Sequence, residues 1–220
     1  MRKVTPPVTV ENIKKTHRER RVEIRRRLSE FAEIGARGTD LRFWEEMVFC
    51  FFTGGCSARM GINSLEAVRP ALMTGDLEEL SGRLRGVHRY PNARARYIVA
   101  SRDFLREHCD LKLRNKLTSF ECPIERRDWL VKEKGIKGLG YKEASHYLRN
   151  IGFKGYAILD KHVLNCLAEL KIISDPKPPN TRAAYLTIEE KLRSLTQTMG
   201  IDMDELDLVL WSMKTGVILK

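Results

Sequence analysis

Apolar positions recur along most of this chain at three- and four-residue intervals, the spacing that lays one stripe along a helix. Between residues 10 and 34 the stripe is Ile24, Leu28 and Phe31, and Gly35 and Gly38 mark its end. Asp40 is placed to cap a second helix through Trp44, Met47, Val48 and Phe51, which Gly54 and Gly55 stop. Ser57 starts a third, and Asp76 caps a fourth whose Leu77, Leu80 and Leu84 share a face. Proline suits a first helical turn, where its missing N–H is no loss. Pro91 therefore opens a helix through Ile98 and Leu105, and Pro123 one through Trp129 and Leu130 that ends at Gly135. Residues 142–151 read as a helix closed by Gly152, and Asp160 as the N-cap of another reaching Leu170. After the proline-rich linker Ser174–Thr181 come a helix from Thr181 to about Thr198 and one opened by Asp202, with Glu205 at capping-box spacing. No stretch alternates apolar and polar residues with a period of two, and no long repeat is present. The fold class is all-α.

Composition narrows the function. A chain of 220 residues that is 42% hydrophobic and 31% charged describes a globular protein with a sizeable core. The densest apolar run, Phe43 to Phe52, is broken by Glu45 and Glu46, so no membrane span is expected. The amino terminus is basic without an apolar stretch behind it, and the expectation is a cytoplasmic, nucleoid-associated protein. Five cysteines, an odd number with no C-x-x-C pair, suggest free thiols in preference to a zinc site or a disulfide framework. The net charge of +11 is uneven: residues 1–37 carry 11 basic and 5 acidic side chains, residues 82–116 carry 10 and 3, and residues 132–161 carry 7 and 3. The rest of the chain is net acidic, so the basic segments point to a polyanionic partner.

Gly135 to Val163 carries the chemistry. Ile136-Lys137-Gly138-Leu139-Gly140 lies between two helices, and glycines one residue apart permit a tight hairpin. The unpaired N–H groups opening the second helix suit a phosphate, which positions DNA without reading its sequence. The same spacing also fits an ordinary helical corner. Lys142, two residues past Gly140, stands where the helix macrodipole disfavours a cation, as a nucleophilic amine needs. A solvated or phosphate-binding lysine is the plainer alternative. Asp160, 18 residues beyond Lys142, is a natural N-cap and also a carboxylate able to face a developing positive charge.

The hairpin, the lysine after it and the later aspartate resemble the helix-hairpin-helix DNA glycosylases of the endonuclease III superfamily. Within it, Gly138-Leu139-Gly140-Tyr141-Lys142-Glu143-Ala144-Ser145-His146-Tyr147-Leu148-Arg149-Asn150 is similar to the type-2 8-oxoguanine DNA glycosylases. Gly86 to Tyr90, Ala157 to His162 and the tail from Leu208 to Lys220 extend the likeness, which runs from about Arg18. Residues 1–10 look like an extension without an assigned role. Endonuclease III and the related adenine glycosylase carry four cysteines after the catalytic region for an iron–sulfur cluster; only Cys166 follows Asp160 here. Alkyl-base glycosylases lack the lysine.

The resemblance implies two helical domains flanking a DNA-binding cleft. Residues 1–39 would join 152–220 in one, and 40–151 would form a barrel-like domain ending in the hairpin, with Lys142 and Asp160 on opposite walls. It also implies base flipping, attack by Lys142, and a Schiff base whose elimination cleaves the strand, without metal or organic cofactor. Lys137, Gly138, Gly140, His88, Arg89 and Tyr90 are the expected DNA contacts, the terminal Lys220 is an expected base-recognition residue, and Trp211 is either another or, equally, a core side chain among Leu206, Leu208, Val209 and Leu210. The partner would be double-stranded DNA containing oxidised guanine, bound by a monomer. Two other readings stay open: a non-catalytic DNA-structure-binding module using the same hairpin, and a glycosylase for another oxidised base.

Overall fold

The computed structural model describes residues 7–219. Among them are eleven α-helices and no strand: α1 (Val10–Arg37), α2 (Asp40–Thr53), α3 (Ala58–Val68), α4 (Leu77–Leu84), α5 (Pro91–Cys109), α6 (Leu113–Thr118), α7 (Pro123–Lys132), α8 (Tyr141–Asn150), α9 (Lys161–Glu169), α10 (Arg182–Met199) and α11 (Met203–Thr215). None is long and apolar enough to cross a membrane. The chain divides into two compact units, Ile34–Ile151 and the remainder, so the first division falls a few residues before the one expected at residue 40.

The Ile34–Ile151 unit is built around α2. Its FWEEMVFCFFT run is apolar on nearly every face, and all side chains from Phe43 to Thr53 are buried. A helix of that kind has to be surrounded; α3, α5, α6 and α8 pack on it. The fully buried Glu46 is tolerated because Arg42 pairs with it at 2.7 Å and the Asn150 side-chain amide donates to it at 3.1 Å. The N-cap of α2 is Thr39, whose hydroxyl accepts from the Arg42 N–H, and not Asp40. Asp40 instead accepts from the Arg114 backbone N–H at 2.8 Å. The Arg114 guanidinium donates to the carbonyls of Gly35 and Gly38. Those contacts satisfy the end of α1, which is why it runs past Gly35 to Arg37. The short α6 follows two left-handed residues, Asp110 and Leu111, and buries only Leu113 and Leu117. Two apolar positions are too few to show a period, and the sequence reading missed this helix.

In the other unit α11 packs on α9 and α10, and it buries nearly everything from Met203 to Met213. Asp202 caps α11 through the N–H groups of Asp204 and Glu205. The reciprocal half of the expected capping box does not form, because the Glu205 carboxylate is engaged elsewhere. It pairs with Arg25 at 2.8 Å and His17 at 2.5 Å, both on α1. Burial pushes this carboxyl up, but the hydrogen bonds from Arg25 and His17 outweigh that and hold it below the usual carboxylate range.

Candidate active site

The hairpin between α7 and α8 is seated on α5. Ile136 and Leu139 are buried, and the Lys137 backbone N–H donates to the Ser101 hydroxyl at 2.9 Å. Gly135 lies flat against the Phe104 ring. Gly138 has φ +80°, and a Cβ there would come within 2.5 Å of Tyr97 Cδ2. These two glycines therefore admit the α5 aromatic rings, a tertiary reason that the turn alone did not reveal. Asp128 ties the helices across the hairpin, accepting from the Tyr141 hydroxyl at 3.0 Å while pairing with Lys132. Gly138→Ala is expected to cost about 2–4 kcal/mol, combining left-handed strain with overpacking. Chemical denaturation measures this; unchanged stability would mean the hairpin is not seated on Tyr97.

Gly140 is the N-cap of α8 in extended conformation, and no side chain caps the helix. The first turn thus keeps backbone donors that no side chain takes up, and these with the macrodipole favour an anion. Gly140 and Lys137 are exposed.

Lys142 is the second residue of α8. Its side chain is 25% exposed, and Nζ lies 3.0 Å from Glu143 Oε1. A Cβ on Gly54 would sit 3.6 Å from that oxygen and 3.2 Å from Arg94 Nη2, and the Arg94 guanidinium donates to the Gly54 carbonyl. Gly54, read from the sequence as a helix stop, is therefore a wall of this site. Arg94 stacks over Tyr97 at 5.3 Å and near Tyr90 at 5.8 Å. The end of α2, the start of α5 and the start of α8 meet at Gly54, against which the Arg94 guanidinium and the Glu143 carboxylate lie, with the lysine on the far side of that carboxylate's hydrogen bond. Glu143 and Arg94 were not singled out from the sequence; Glu143 stands inside the quoted motif, and Arg94 had only its basic segment to mark it.

The 88–90 loop divides in role. His88 is buried; its Nδ1 accepts from the Tyr90 N–H at 2.9 Å and its Nε2 donates to the Phe52 carbonyl at 3.1 Å. Burial and nearby Arg94 push its pKa down, against the raising effect of the Phe52 hydrogen bond. Both ring nitrogens are thus engaged within the protein. The ring fixes the loop that presents Arg89 and Tyr90, both exposed, with Tyr90 at 42%.

Asp160 and Trp211 belong to the other unit. Asp160 is the N-cap of α9, accepting from the Val163 N–H at 2.8 Å. The extended segment before it is pinned to α10. Glu189 accepts from the Ala157 N–H, and the Tyr185 hydroxyl accepts from the Leu159 N–H while donating to the Ala157 carbonyl. The cap leaves the second carboxylate oxygen available, and the residue is half-buried. Trp211 on α11 is likewise half-buried between buried Leu210 and Ser212. Lys220 lies outside the described residues.

Residues 24–201 match the family model described as 8-oxoguanine DNA glycosylase. The chain belongs to this family. An 8-oxoguanine DNA glycosylase/AP lyase of Korarchaeum cryptofilum is 41% identical over 90% of each chain. One of Fusobacterium nucleatum is 36% identical over 94% of this chain and 96% of its own. The structure of the Methanocaldococcus jannaschii 8-oxoguanine glycosylase/lyase in complex with a 15mer DNA containing 8-oxoguanine superposes with a TM-score of 0.88 at 33% identity, covering 96% of this chain and 99% of that one.

Proposed function

We propose that this protein excises 8-oxoguanine from double-stranded DNA and cleaves the strand at the resulting site, with Lys142 as nucleophile and Asp160 as its electrostatic partner. Family membership carries the reaction class. The placement of Lys142, part-exposed beside an N-terminus without a side-chain cap, supports the residue assignment.

The target nucleotide has to leave the stack before its glycosidic bond can be reached. The α8 N-terminus and the exposed Lys137 hold backbone phosphates, while Arg89 and Tyr90 fill the gap the nucleotide leaves. The Nζ lone pair of Lys142 then bonds to C1′ as the C1′–N9 bond breaks, and the base departs with that electron pair and takes up a proton. Ring opening moves a proton from the amine to O4′ and leaves a Schiff base. Loss of a C2′ proton expels the 3′ phosphate and cleaves the strand. Asp160, with one oxygen on the α9 N-terminus, offers negative charge to the cationic sugar. Trp211 stacks on the flipped purine and Lys220 contributes to telling it from guanine. The protein works as a monomer on cytoplasmic DNA and needs no metal or organic cofactor.

Borohydride trapping tests this reading. The protein is incubated with a duplex holding one 8-oxoguanine, beside the same duplex with guanine. A covalent complex with the lesion strand alone is the expected result. Tight, salt-sensitive binding with no trapped complex would overturn the Schiff-base reading and leave a monofunctional enzyme or a binding module.

A further inference from the structure

We propose that Glu143 is the proton acceptor that turns the Lys142 ammonium into a nucleophilic amine. The proposal rests on Lys142 being the nucleophile. Its observation is local. Residues adjacent on a helix point about 100° apart and do not ordinarily face each other, yet Glu143 Oε1 sits 3.0 Å from Lys142 Nζ. Two glycines bracket the carboxylate. A Cβ on Gly140 would lie 3.2 Å from Oε2, and one on Gly54 3.6 Å from Oε1. The carboxylate thus occupies a notch between the hairpin and the end of α2 that lacks side chains on both walls.

The charged groups around this notch are few. Lys142 stands on the same helix. Arg94 comes from α5, with its guanidinium directed to the Gly54 carbonyl. The turn after α2 supplies backbone. The charged residues of α7 are occupied further along, Asp128 with Tyr141 and Lys132, and Arg127 with Ser145. At 17% exposure the Glu143 side chain is shielded from bulk water without being sealed from it.

One proton passes from Nζ to Oε1, and the freed electron pair forms the Nζ–C1′ bond. The C1′–N9 pair leaves with the base, which is protonated by water. Of the two protons the attached amine still carries, one moves to O4′ on ring opening and the other stays on the protonated Schiff base, and Glu143 returns its own proton to solvent. Because Glu143 touches the reacting nitrogen, it would be a catalytic residue. A glutamate in a first helical turn otherwise serves only to complement the dipole, and the test has to separate the two roles.

Single-turnover excision of 8-oxoguanine is measured between pH 6 and 9.5 for the parent, Glu143→Gln and Glu143→Ala, with duplex affinity measured in parallel. For Glu143→Gln the expected result is a loss of about 100-fold at pH 7, within the usual range for general base catalysis. The deficit narrows as rising pH supplies hydroxide as an alternative proton acceptor. Affinity stays within about 3-fold, since no phosphate contact is lost. Glu143→Ala, in which the notch is emptied, is expected to regain rate when formate is added. A parental rate for Glu143→Gln would overturn the proposal. So would a deficit equal at every pH with no rescue by formate, which is the mark of a structural role. Lys142→Gln run alongside separates the two layers: if it retains excision and trapping, the nucleophile assignment itself fails, whatever Glu143 does.

Discussion

Lys142→Gln is expected to abolish strand cleavage and lower 8-oxoguanine excision by at least about 1,000-fold, equivalent to about 4 kcal/mol of barrier. The size follows from the mechanism: an amide nitrogen has no available lone pair for C1′, so no Schiff base forms and no elimination follows. Binding should be spared. The side chain is a quarter exposed, and its visible partner is the adjacent Glu143. Glutamine is about as good a helix former as lysine, and a part-exposed ion pair contributes little to stability. Duplex affinity, governed by backbone donors and by basic residues elsewhere, should move by no more than a few-fold. Quenched-flow excision and fluorescence anisotropy on the same lesion duplex measure the two quantities. A variant that still cleaves would remove Lys142 from the chemistry. One that neither binds nor cleaves would give it a phosphate-binding role instead.

Asp160→Asn is the second large effect, and it separates two duties of one side chain. The Asp160 carboxylate caps α9 through the Val163 N–H. Asparagine caps as well as aspartate, so the melting temperature should shift little. On the proposed reading the variant also removes the negative charge offered to the developing sugar cation, and excision should fall by about 100- to 1,000-fold, the loss typical of one electrostatic catalytic group. Asp160→Ala should lose the same rate and in addition about 1 kcal/mol of stability, because the cap disappears. If Asp160→Asn is fully active, the residue is a cap and nothing more. If Asn and Ala lose stability equally, the cap is not what holds α9 in place.

Much of the fold was legible in the chain. Leu80 and Leu84 of the α4 stripe are buried, though Leu77 is exposed, and the prolines opening α5 and α7 and the caps Ser57, Asp76, Asp160 and Asp202 lie where the pattern placed them, because helix termini are decided by a few neighbouring residues. The failures have a common source. Asp40 did not cap α2, and Glu205 did not close a capping box, because Arg114 and the Arg25–His17 pair claimed those carboxylates from 74 and about 180 residues away in sequence. Gly35 did not end α1 because the Arg114 guanidinium satisfies the carbonyls there. Local propensity is a weak preference, and a distant charge-assisted hydrogen bond overrides it.

The candidate site divides along the same line. The hairpin glycines and Lys142 stood out in the sequence because each is an unusual residue type at a helix start, whereas Asp160, an ordinary N-cap residue, was marked only by its place in the family motif. His88 did not declare its role: only the folded chain sets its nitrogens between the Tyr90 N–H and the Phe52 carbonyl. Gly54 read as a helix stop until the carboxylate of Glu143 and the guanidinium of Arg94 were found against it, more than 39 residues on in each case. Sequence by itself determined most of the helices, the basic character and the hairpin motif, all properties set within a turn or two of chain. Tertiary structure alone decided which glycines admit another element and which charges meet, since such contacts depend on distances that no local pattern encodes.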